Sequence, residues 1–434
     1  MTLSPESPVV ASSRHGGSKA TSDDPARPVL HIHPEHGWLN DPNGLCRIDG
    51  TYHVFFQFNP AEPVHANVHW GHVSSPDLLH WITEPIALAP RPGSGDEGGC
   101  WSGCVVDDAG VPTAVYTGVR SSAHDAGVVL ARSDRSLRSW VSDDTWRIGT
   151  PEDEAISDVR DPFVFLHDGR RYAVQGAGHV MGSPQLLLYA CDDLGHWTYL
   201  RPFLSTDDPV AAATAAANIW ECPNLVRLGD AWVLLLSLWR NHVLSGVRYL
   251  VGDVVAEADG LRFVSRTGGT LDTGPTFYAP QVLVEADRVL LWGWAWEGAD
   301  RSDEAIREAG WCGTLTSPRE LTLVDGHVRC QPATELAALR RDTVACGPRR
   351  PITDRAFEVL AKDRVLLRTI DPDSGEEHVV TQSDGPARIL VDGSLVETFG
   401  PHGSYTTRHY PGPRAHWLVE TDGPVQVWRL GLPD

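Results

Sequence analysis

Three short segments of this chain place a carboxyl group among residues that form turns. Their sequences are Trp38-Leu39-Asn40-Asp41-Pro42-Asn43-Gly44, Arg160-Asp161-Pro162-Phe163 and Trp220-Glu221-Cys222-Pro223-Asn224. The prolines and asparagines predict that Asp41 and Asp161 lie near the start of strands, where a side chain can reach a binding site. Arg160 is positioned to keep its neighbour Asp161 ionised.

The third segment differs, because Glu221 stands between an indole and a thiol. Such neighbours would desolvate its carboxyl group, as a general acid requires. Retaining glycoside hydrolysis needs one ionised and one protonated carboxyl group, and a third acid can hold substrate hydroxyls. Taken singly, each acid also fits a structural role, namely an Asx turn for Asp41, a surface ion pair for Asp161 and a buried hydrogen-bonded acid for Glu221.

The elements that must position these acids are predicted to be strands. Short alternating apolar runs recur between Gly, Pro and Asp clusters, and helix-length amphipathic patterns are scarce. A tryptophan preceded by an aspartate recurs at Trp81, Trp140 and Trp197, with spacings of 59 and 57 residues. A period near this length, with four strands per unit, is typical of a β-propeller blade, although chance spacing of surface turns is the alternative.

The candidate acids follow the same period. Asp41, Asp161 and Glu221 are separated by 120 and 60 residues, and the equivalent phase holds Trp101-Ser102-Gly103 and Phe277-Tyr278-Ala279. Residues of equal phase on the inner strands of different blades converge on one channel. The sequence therefore predicts a five-bladed propeller whose channel mouth combines three acids with aromatic and small polar groups, the composition of a sugar site.

The chain divides into four predicted parts. Residues 1–27 are polar and rich in Ser, Pro, Gly and Ala, lack the apolar core of a secretory signal, and are predicted to be a disordered tail. The propeller is expected over residues 28–335, and a linker with a short helix over residues 336–355. Strand-like alternation resumes over residues 356–434, which predicts a small C-terminal β-sandwich in an all-β protein.

The composition of the chain limits the classes of molecule that it can be expected to bind. The formal net charge of −21 argues against nucleic acid and anionic membranes, which are bound through Lys/Arg patches. No apolar run is long enough to span a membrane. The eight cysteines lack a metal-like spacing and are predicted to be free thiols, and a disulfide or metal at Cys100 and Cys104 is the minor alternative. We expect a cytoplasmic protein that acts on a neutral sugar without a metal or other cofactor, and the sequence leaves a homo-oligomer open.

The three segments resemble the signature motifs of glycoside hydrolase family 32, the invertase and fructanase family: W-[ML]-N-D-P-N-G, R-D-P and E-C. The likeness continues in order from about His31 to Leu336, through Trp70-Gly71-His72 and Ser317-Pro318-Arg319-Glu320-Leu321. It implies a five-bladed propeller followed by a β-sandwich. It also implies a β-fructofuranosidase that releases fructose from sucrose or a short β-fructoside through a covalent fructosyl-enzyme intermediate.

The resemblance assigns roles to individual residues. Asp41 would be the nucleophile, Glu221 the acid/base and Asp161 the transition-state stabiliser, with help from Arg160. Five further positions would complete the sugar pocket: Asn40, Gln57, Ser102, Tyr278 and Trp294. Trp101, beside Ser102, is expected to line the same pocket.

Two departures from the family pattern bear on specificity and on the second domain. Many members have a pocket-lining tryptophan where this chain has His65, so an imidazole that can hydrogen-bond replaces an aromatic wall. The sandwich motif Asp392-Gly393-Ser394-Leu395-Val396-Glu397-Thr398-Phe399 lacks its usual Arg after the Asp, and the sandwich is short.

Four other functions stay open at this point. A fructosyltransferase shares the covalent intermediate, and no residue excludes it. A carbohydrate-binding propeller would not need all three acids together. A phosphosucrose hydrolase would need a basic cluster for the phosphate, and apart from His65 none lies near the motifs. Propellers of the arabinanase type share the three-acid layout without these motif sequences.

Overall fold

The computed structural model describes residues 24–298, 300–347, 350–412 and 414–433. Residues 1–23 of the predicted tail lie outside this part of the chain. Residues 24–27 pack against the folded protein, since the Asp24 carboxylate accepts a hydrogen bond from Trp311 Nε1 at 2.8 Å. The Arg27 guanidinium lies 4.8 Å from the centre of the same indole. Asp24 and Arg27 therefore contact the folded domain, although both fall within the segment 1–27 predicted to be a disordered tail.

The fold is all-β, and its larger part is a propeller of five blades. Single residue pairs, Gly178 with Ile219 and Asp272 with Ser404, join blade 3 to blade 4 and blade 4 to the C-terminal domain, so these parts form one continuous sheet. Blade 1 contains β1 (Gly37–Ile48), β2 (Thr51–Asn59), β3 (His69–Ser75) and β4 (Ile82–Thr83). Blade 2 contains β5 (Gly99–Asp108), β6 (Val111–Val119), β7 (Ala126–Ser133) and β8 (Trp140–Ser142), with β9 (Ile148–Gly149) paired to β7. Blade 3 contains β10 (Ile156–His167), β11 (Arg170–His179), β12 (Pro184–Ala190) and β13 (Thr198–Ser205), followed by helix α1 (Pro209–Thr214).

The last two blades complete the ring. Blade 4 contains β14 (Ile219–Leu228), β15 (Ala231–Arg240), β16 (Val243–Glu257) and β17 (Gly260–Asp272). Blade 5 and its insertion contain β18 (Phe277–Val284), β19 (Val289–Ala295), α2 (Asp303–Ala309), β20 (Trp311–Cys312), β21 (Thr314–Leu315), β22 (Arg319–Val324) and β23 (His327–Pro332). Strand β20 pairs parallel to β1 in blade 1, so the insertion closes the ring between the first and last blades.

The repeated tryptophans mark equivalent turns in successive blades. Trp140 Nε1 donates to the Leu137 carbonyl at 3.0 Å, and Trp197 Nε1 donates to the Leu194 carbonyl at 2.9 Å. In both turns the preceding aspartate begins the loop that leads to the outermost strand. The spacing of these tryptophans therefore reports the blade repeat, as the sequence predicts.

The sandwich follows a 3₁₀ helix at Thr334–Leu339. Its strands are β24 (Arg340–Thr343), β25 (Ala356–Ala361), β26 (Val365–Ile370), β27 (Glu377–Ser383), β28 (Ala387–Asp392), β29 (Leu395–Gly400), β30 (Gly403–Arg408), β31 (His416–Thr421) and β32 (Val425–Leu430). One sheet has the order β30-β29-β28-β25-β32-β24, and the other has the order β27-β26-β31. Strand β24 lies inside the segment 336–355 predicted as a linker, because Arg340 and Thr343 pair with β32.

A buried ion network joins the two domains. Arg319 of blade 5 is fully buried and forms ion pairs with Asp272 of blade 4 at 2.8 Å and with Glu397 of the sandwich at 2.7 Å. His31 lies between Asp392 and Glu397, at 2.8 and 2.9 Å. Burial opposes protonation of His31, but hydrogen bonds to these two carboxylates outweigh it and raise the His31 pKa to about 9. The two acids of the sandwich motif therefore anchor the propeller.

Replacing Arg319 with Ala should lower the free energy of unfolding by about 3–5 kcal/mol, because two buried carboxylates would lose their shared partner. Urea denaturation followed by tryptophan fluorescence measures this change. The matched control is Arg329→Ala, since Arg329 also reaches the sandwich, through the Pro401 carbonyl, but at an exposed position. The control should cost less than about 0.5 kcal/mol, and equal losses in the two variants would contradict the anchoring role.

None of the helices within the described residues is long and apolar enough to cross a membrane.

Candidate active site

The inner strands of all five blades carry a β-bulge at the same position. Strands β1, β5, β10, β14 and β18 contact one another around the central channel. In each, the pairing register shifts near the start of the strand, at Leu39/Pro42, Cys100/Gly103, Arg160/Phe163, Glu221/Asn224 and Tyr278/Gln281. A bulge inserts an extra residue and re-aims side chains. The three acids therefore share a phase in the sequence because each lies at or beside this repeated bulge.

The bulges bring the three predicted acids to one cavity. Asp41, Asp161 and Glu221 line the same space of about 950 Å³. The Cys222 thiol lies 3.5 Å from a carboxylate oxygen of Asp41 and 3.5 Å from one of Asp161, so it bridges two of the acids. The Cys222 amide also donates to Asp161 at 2.9 Å. Three different blades thus contribute one carboxyl group each.

Asp41 is buried and held by two neighbouring side chains. Ser102 Oγ donates to Asp41 Oδ2 at 2.7 Å, and Gln57 Nε2 approaches the same oxygen at 3.3 Å. Burial raises the pKa of Asp41 to about 7, with the Ser102 hydrogen bond opposing the shift and the charges of Asp161 and Glu221 adding to it. The carboxylate is oriented by Ser102 while its ionised form is disfavoured by its surroundings.

Asp161 occupies a backbone conformation that non-glycine residues rarely adopt, with φ of 60°. Its amide donates to Thr117 Oγ1 of blade 2 at 2.8 Å, which helps to hold this conformation. Burial raises the pKa of Asp161 to about 6, against the opposing charge of Arg160. Arg160 was expected to hold Asp161 ionised, and its charge does lower the Asp161 pKa, but its guanidinium forms its ion pair with Glu221 at 2.7 Å. The bulge turns adjacent side chains in different directions, so the pair forms across blades.

Both oxygens of the Glu221 carboxyl group accept hydrogen bonds. Arg160 Nε and Nη2 donate to Oε1 at 3.0 and 2.7 Å, and Tyr278 Oη donates to Oε2 at 2.6 Å. The expected contact with Trp220 is not made. The Trp220 indole is fully buried in the core and donates to the Ala215 carbonyl at 2.7 Å. Adjacent residues on a strand point to opposite faces, which separates the indole from the carboxyl group.

An aromatic wall encloses the Asp41 side of the cavity. His65 packs edge-on against Trp38 at 4.8 Å and against Trp101 at 5.9 Å, and Trp38 contacts Trp294 at 6.4 Å between ring centres. His65 therefore contacts Trp38 and Trp101, and Trp38 in turn contacts Trp294. Asn40 Oδ1, Gln57 Oε1 and Trp294 Nε1 are buried polar atoms of this wall without a hydrogen-bond partner among the described residues. Buried polar atoms are normally satisfied, so these atoms fit a polar ligand.

Ten of the eleven predicted site residues line this cavity. They are Asn40, Asp41, Gln57, His65, Trp101, Arg160, Asp161, Glu221, Tyr278 and Trp294. Ser102 does not, because its hydroxyl is turned to Asp41 and receives a hydrogen bond from Gln57 at 2.6 Å. Ser102 therefore orients Asp41 from behind instead of facing the expected sugar ring.

Sequence reasoning missed a ring of buried amides behind the acids. Asn43 accepts a hydrogen bond from the Gly103 amide at 3.1 Å, and Gln281 donates to the Gly103 carbonyl at 2.7 Å. Asn224 donates to the Pro280 carbonyl at 2.9 Å. These bonds join the inner strands of different blades. Their signal was present in the sequence, because all three amides follow an inner-strand motif at the predicted blade phase.

A five-bladed propeller whose channel mouth gathers three carboxyl groups beside a tryptophan wall defines a carbohydrate-active enzyme. The family described as "Glycosyl hydrolases family 32 N-terminal domain" matches residues 31–332. The chain belongs to glycoside hydrolase family 32.

Curated relatives and solved structures agree with this membership. The chain is 34% identical to a sucrose-6-phosphate hydrolase of Klebsiella pneumoniae over 99% of its own length and 98% of the relative's. It is 33% identical to the raffinose invertase of Escherichia coli, over 84% of the chain and 77% of that protein. The β-fructofuranosidase of Bombyx mori superposes with a TM-score of 0.77 at 26% identity, over 94% of each chain. A mutant of the Bombyx enzyme was solved in complex with sucrose.

Proposed function

We propose that this protein hydrolyses β-fructofuranosides with retention of configuration, releasing fructose from sucrose or a short related oligosaccharide. The observation that carries the proposal is the convergence of Asp41, Asp161 and Glu221 from three blades on one cavity. Retaining glycosidases need a nucleophile and an acid/base on opposite sides of the scissile bond. Asp41 and Glu221 belong to blades 1 and 4 and fit these two positions.

The proposed reaction has two steps. Asp41 attacks the anomeric carbon of the fructosyl unit, the bond to the leaving oxygen breaks, and Glu221 gives that oxygen a proton. Glu221 then removes a proton from water, which attacks the anomeric carbon and releases Asp41. Asp161 binds fructosyl hydroxyls and offsets the positive charge that develops on the ring. Arg160 and Tyr278 orient the Glu221 carboxyl group from both sides.

The cavity wall supports a neutral fructosyl unit as the ligand. Trp38, Trp101 and Trp294 supply apolar faces, and His65 supplies an imidazole among them. Sugar hydroxyls would satisfy the unpartnered polar atoms of Asn40, Gln57 and Trp294. Such a wall combines stacking surface with a few placed polar groups, as sugar sites do.

Sucrose 6-phosphate is a second candidate substrate, because several relatives carry that name. The cavity residues offer little to a phosphate. Arg160 is their one guanidinium and is already paired with Glu221, no lysine is among them, and the remaining basic groups are His65, His124, His179 and His242. Phosphate sites usually rely on Arg or Lys, so we propose unphosphorylated sucrose as the preferred substrate.

The test is release of fructose and of the leaving sugar from sucrose, sucrose 6-phosphate, inulin oligomers and levan oligomers. We expect equimolar fructose and glucose from sucrose, with kcat/KM at least as high as for the phosphorylated sugar. A strong preference for sucrose 6-phosphate would make the second candidate correct. Trisaccharide formation in place of free fructose would indicate a fructosyltransferase. No turnover of any fructoside would overturn the proposal and favour a binding propeller or an arabinanase-type activity.

The pH profile should reflect the buried acids. Asp41 must be ionised to attack, and its pKa is raised to about 7, so kcat/KM should fall about tenfold per pH unit below this value. Asp161→Asn should shift the pH at which kcat/KM falls to half its maximum to a lower value. The reason is that the substitution removes one of the charges that raise the pKa of Asp41. Asp158→Asn is the matched control, since Asp158 faces His124 at 2.9 Å and should leave the midpoint in place. A wild-type midpoint near pH 4 would contradict the expectation.

We propose a cytoplasmic location. All eight cysteines are free in the structure, and free buried thiols are usual in a reducing compartment. A homo-oligomer stays a prediction that size-exclusion chromatography with light scattering can measure.

A further inference from the structure

One short piece of chain, residues 311–313, lies behind the tryptophan wall of the cavity. The wall consists of Trp38, Trp101 and Trp294. Within this segment β20 pairs with β1 through Cys312 and Trp38, and Cys312 packs in one cluster with Trp38, against which Trp101 also lies. The placement of these two indoles therefore depends on the segment behind them.

Gly313 fits between the first strand of the propeller and the third indole of the wall. Its φ is 82°, and a Cβ atom added to it would collide with the Leu39 carbonyl oxygen and lie 3.1 Å from Trp294 Nε1. Leu39 directly precedes Asn40 and Asp41 in β1. A shift of Gly313 would therefore move both the wall and the strand that carries the proposed nucleophile.

The Glu297 carboxylate holds Gly313 in this place. The Gly313 amide donates to Glu297 Oε1 at 2.6 Å, and the Glu297 side chain is buried. Its other oxygen accepts hydrogen bonds from Arg301 Nη1 at 2.9 Å and from the Tyr410 hydroxyl. Burial would raise the pKa of Glu297, but the charges of Arg408 and Arg301 outweigh burial and keep the pKa below its usual value. The amide thus donates to an ionised carboxylate, and such hydrogen bonds are roughly twice as strong as neutral ones.

Two of the partners of Glu297 come from the C-terminal sandwich. Arg408 is the last residue of β30, and its Nη1 lies 3.4 Å from Glu297 Oε1. The ring of Tyr410 lies against the guanidinium groups of Arg301 and Arg408, at 5.5 and 5.4 Å from its centre. This contact shares no residue with the buried ion network around Arg319. The sandwich therefore has a second, separate link to the propeller, and this link lies behind the wall of the cavity.

We propose that Glu297 is a positioning residue for the fructosyl pocket, and that through it the C-terminal sandwich fixes the tryptophan wall. Glu297 is not among the residues that line the cavity, so it acts through the backbone of Gly313. The wall contacts the fructosyl unit in the ground state and in the transition state alike. Its displacement should therefore weaken substrate binding and leave the chemical step nearly unchanged. This inference rests on the proposed fructosidase function and gives the second domain a part in it.

Two substitutions of Glu297 separate positioning from stability. In Glu297→Gln the new amide nitrogen should face the Tyr410 hydroxyl, which can accept a hydrogen bond. The remaining oxygen should then still face Gly313 and Arg408, which offer only donors. Glu297→Ala removes this acceptor. Both variants lose ion pairs and should have a lower Tm, but only Glu297→Ala should raise KM, by about tenfold or more, on the scale of misplaced pocket groups. Its kcat should stay within about threefold of the wild-type value.

Two donors and a matched control complete the test. Sucrose and β-fructofuranosyl fluoride share the fructosyl unit, and the fluoride has no leaving sugar, so KM should rise by the same factor for both. Glu358→Ala is the matched control, because Glu358 is also buried and paired with two arginines, but within the sandwich. Its partners are Arg340 at 2.5 Å and Arg388 at 2.7 Å. The control should lower Tm and leave KM unchanged.

Tyr410→Phe tests the contribution of the sandwich with the carboxylate in place, and it remains informative if Glu297→Ala does not fold. It removes one hydrogen bond to Glu297 and keeps the ring, so KM should rise about two- to fivefold with little change in Tm. An unchanged KM in Glu297→Ala or in Tyr410→Phe would overturn the inference. So would an equal rise in Glu297→Gln and Glu297→Ala, a rise in Glu358→Ala, or a rise confined to sucrose. Failure of the wild type to hydrolyse either donor would instead refute the proposed function.

Discussion

Replacing Asp41 with Asn should lower kcat for fructoside hydrolysis by at least about 10⁴-fold, the scale observed when a covalent nucleophile is removed. The amide cannot form the ester intermediate, although it keeps the size of the carboxyl group. Initial rates with sucrose and with β-fructofuranosyl fluoride measure the effect, and both substrates should lose activity. If kcat fell by less than about tenfold with either substrate, Asp41 would not be the nucleophile.

The same variant should be more stable than the wild type. The Asp41 pKa is raised from 3.8 to about 7 in the folded state, so the native protein binds more protons than the unfolded chain between these values. Its ionisation therefore costs stability as the pH rises through this window, and the cost is fully present at pH 8. Removing the ionisable group should raise Tm at pH 8 by at least about 2 °C.

Asp272→Asn is the contrasting control for Asp41→Asn. Asp272 is also buried, but it is paired with Arg319 outside the cavity. This variant should lower Tm while the folded fraction keeps its activity. A fall in Tm for Asp41→Asn comparable to that for Asp272→Asn would show that Asp41 stabilises the fold, contrary to the electrostatics of the site.

Glu221→Gln should have an effect that depends on the leaving group. Loss of a general acid costs about 10²–10⁴-fold, so kcat/KM for sucrose should fall by this amount. Fluoride departs without protonation, so kcat/KM for β-fructofuranosyl fluoride should stay near that of the wild type. The value of kcat/KM reports only the steps up to formation of the covalent intermediate, and in those steps Glu221 acts only on the leaving group.

The second half of the reaction gives an independent readout of Glu221. Water must be deprotonated to release the intermediate, so kcat for the fluoride should fall in Glu221→Gln. Azide attacks without deprotonation and should restore turnover, forming a fructosyl azide of retained configuration. Asp41→Asn provides the control, because it should lose kcat/KM for both donors. Equal losses of kcat/KM for sucrose and the fluoride in Glu221→Gln would refute the acid/base role.

Much of the fold could be predicted from the sequence because the propeller repeats one local pattern. Each inner strand begins with turn-forming residues and a bulge, and each bulge lies at the predicted blade phase. Tryptophans 140 and 197 mark equivalent turns through the same short-range hydrogen bond. The predicted helix near residue 335 is a 3₁₀ helix followed by a sandwich strand. Pairing with β32, which is distant in sequence, overrides the local preference there.

The sequence by itself predicted ten of the residues that line the cavity, because the period of the blades and the alternation of strands are local properties of the chain. Tertiary structure alone decided which of them touch. Arg160 pairs with Glu221 of the next blade and not with its neighbour Asp161, and Ser102 turns to Asp41. The buried amides of Asn43, Asn224 and Gln281 likewise depend on contacts between blades. Such contacts follow from bulge geometry and the packing of one sheet against another, and no spacing along the chain encodes them directly.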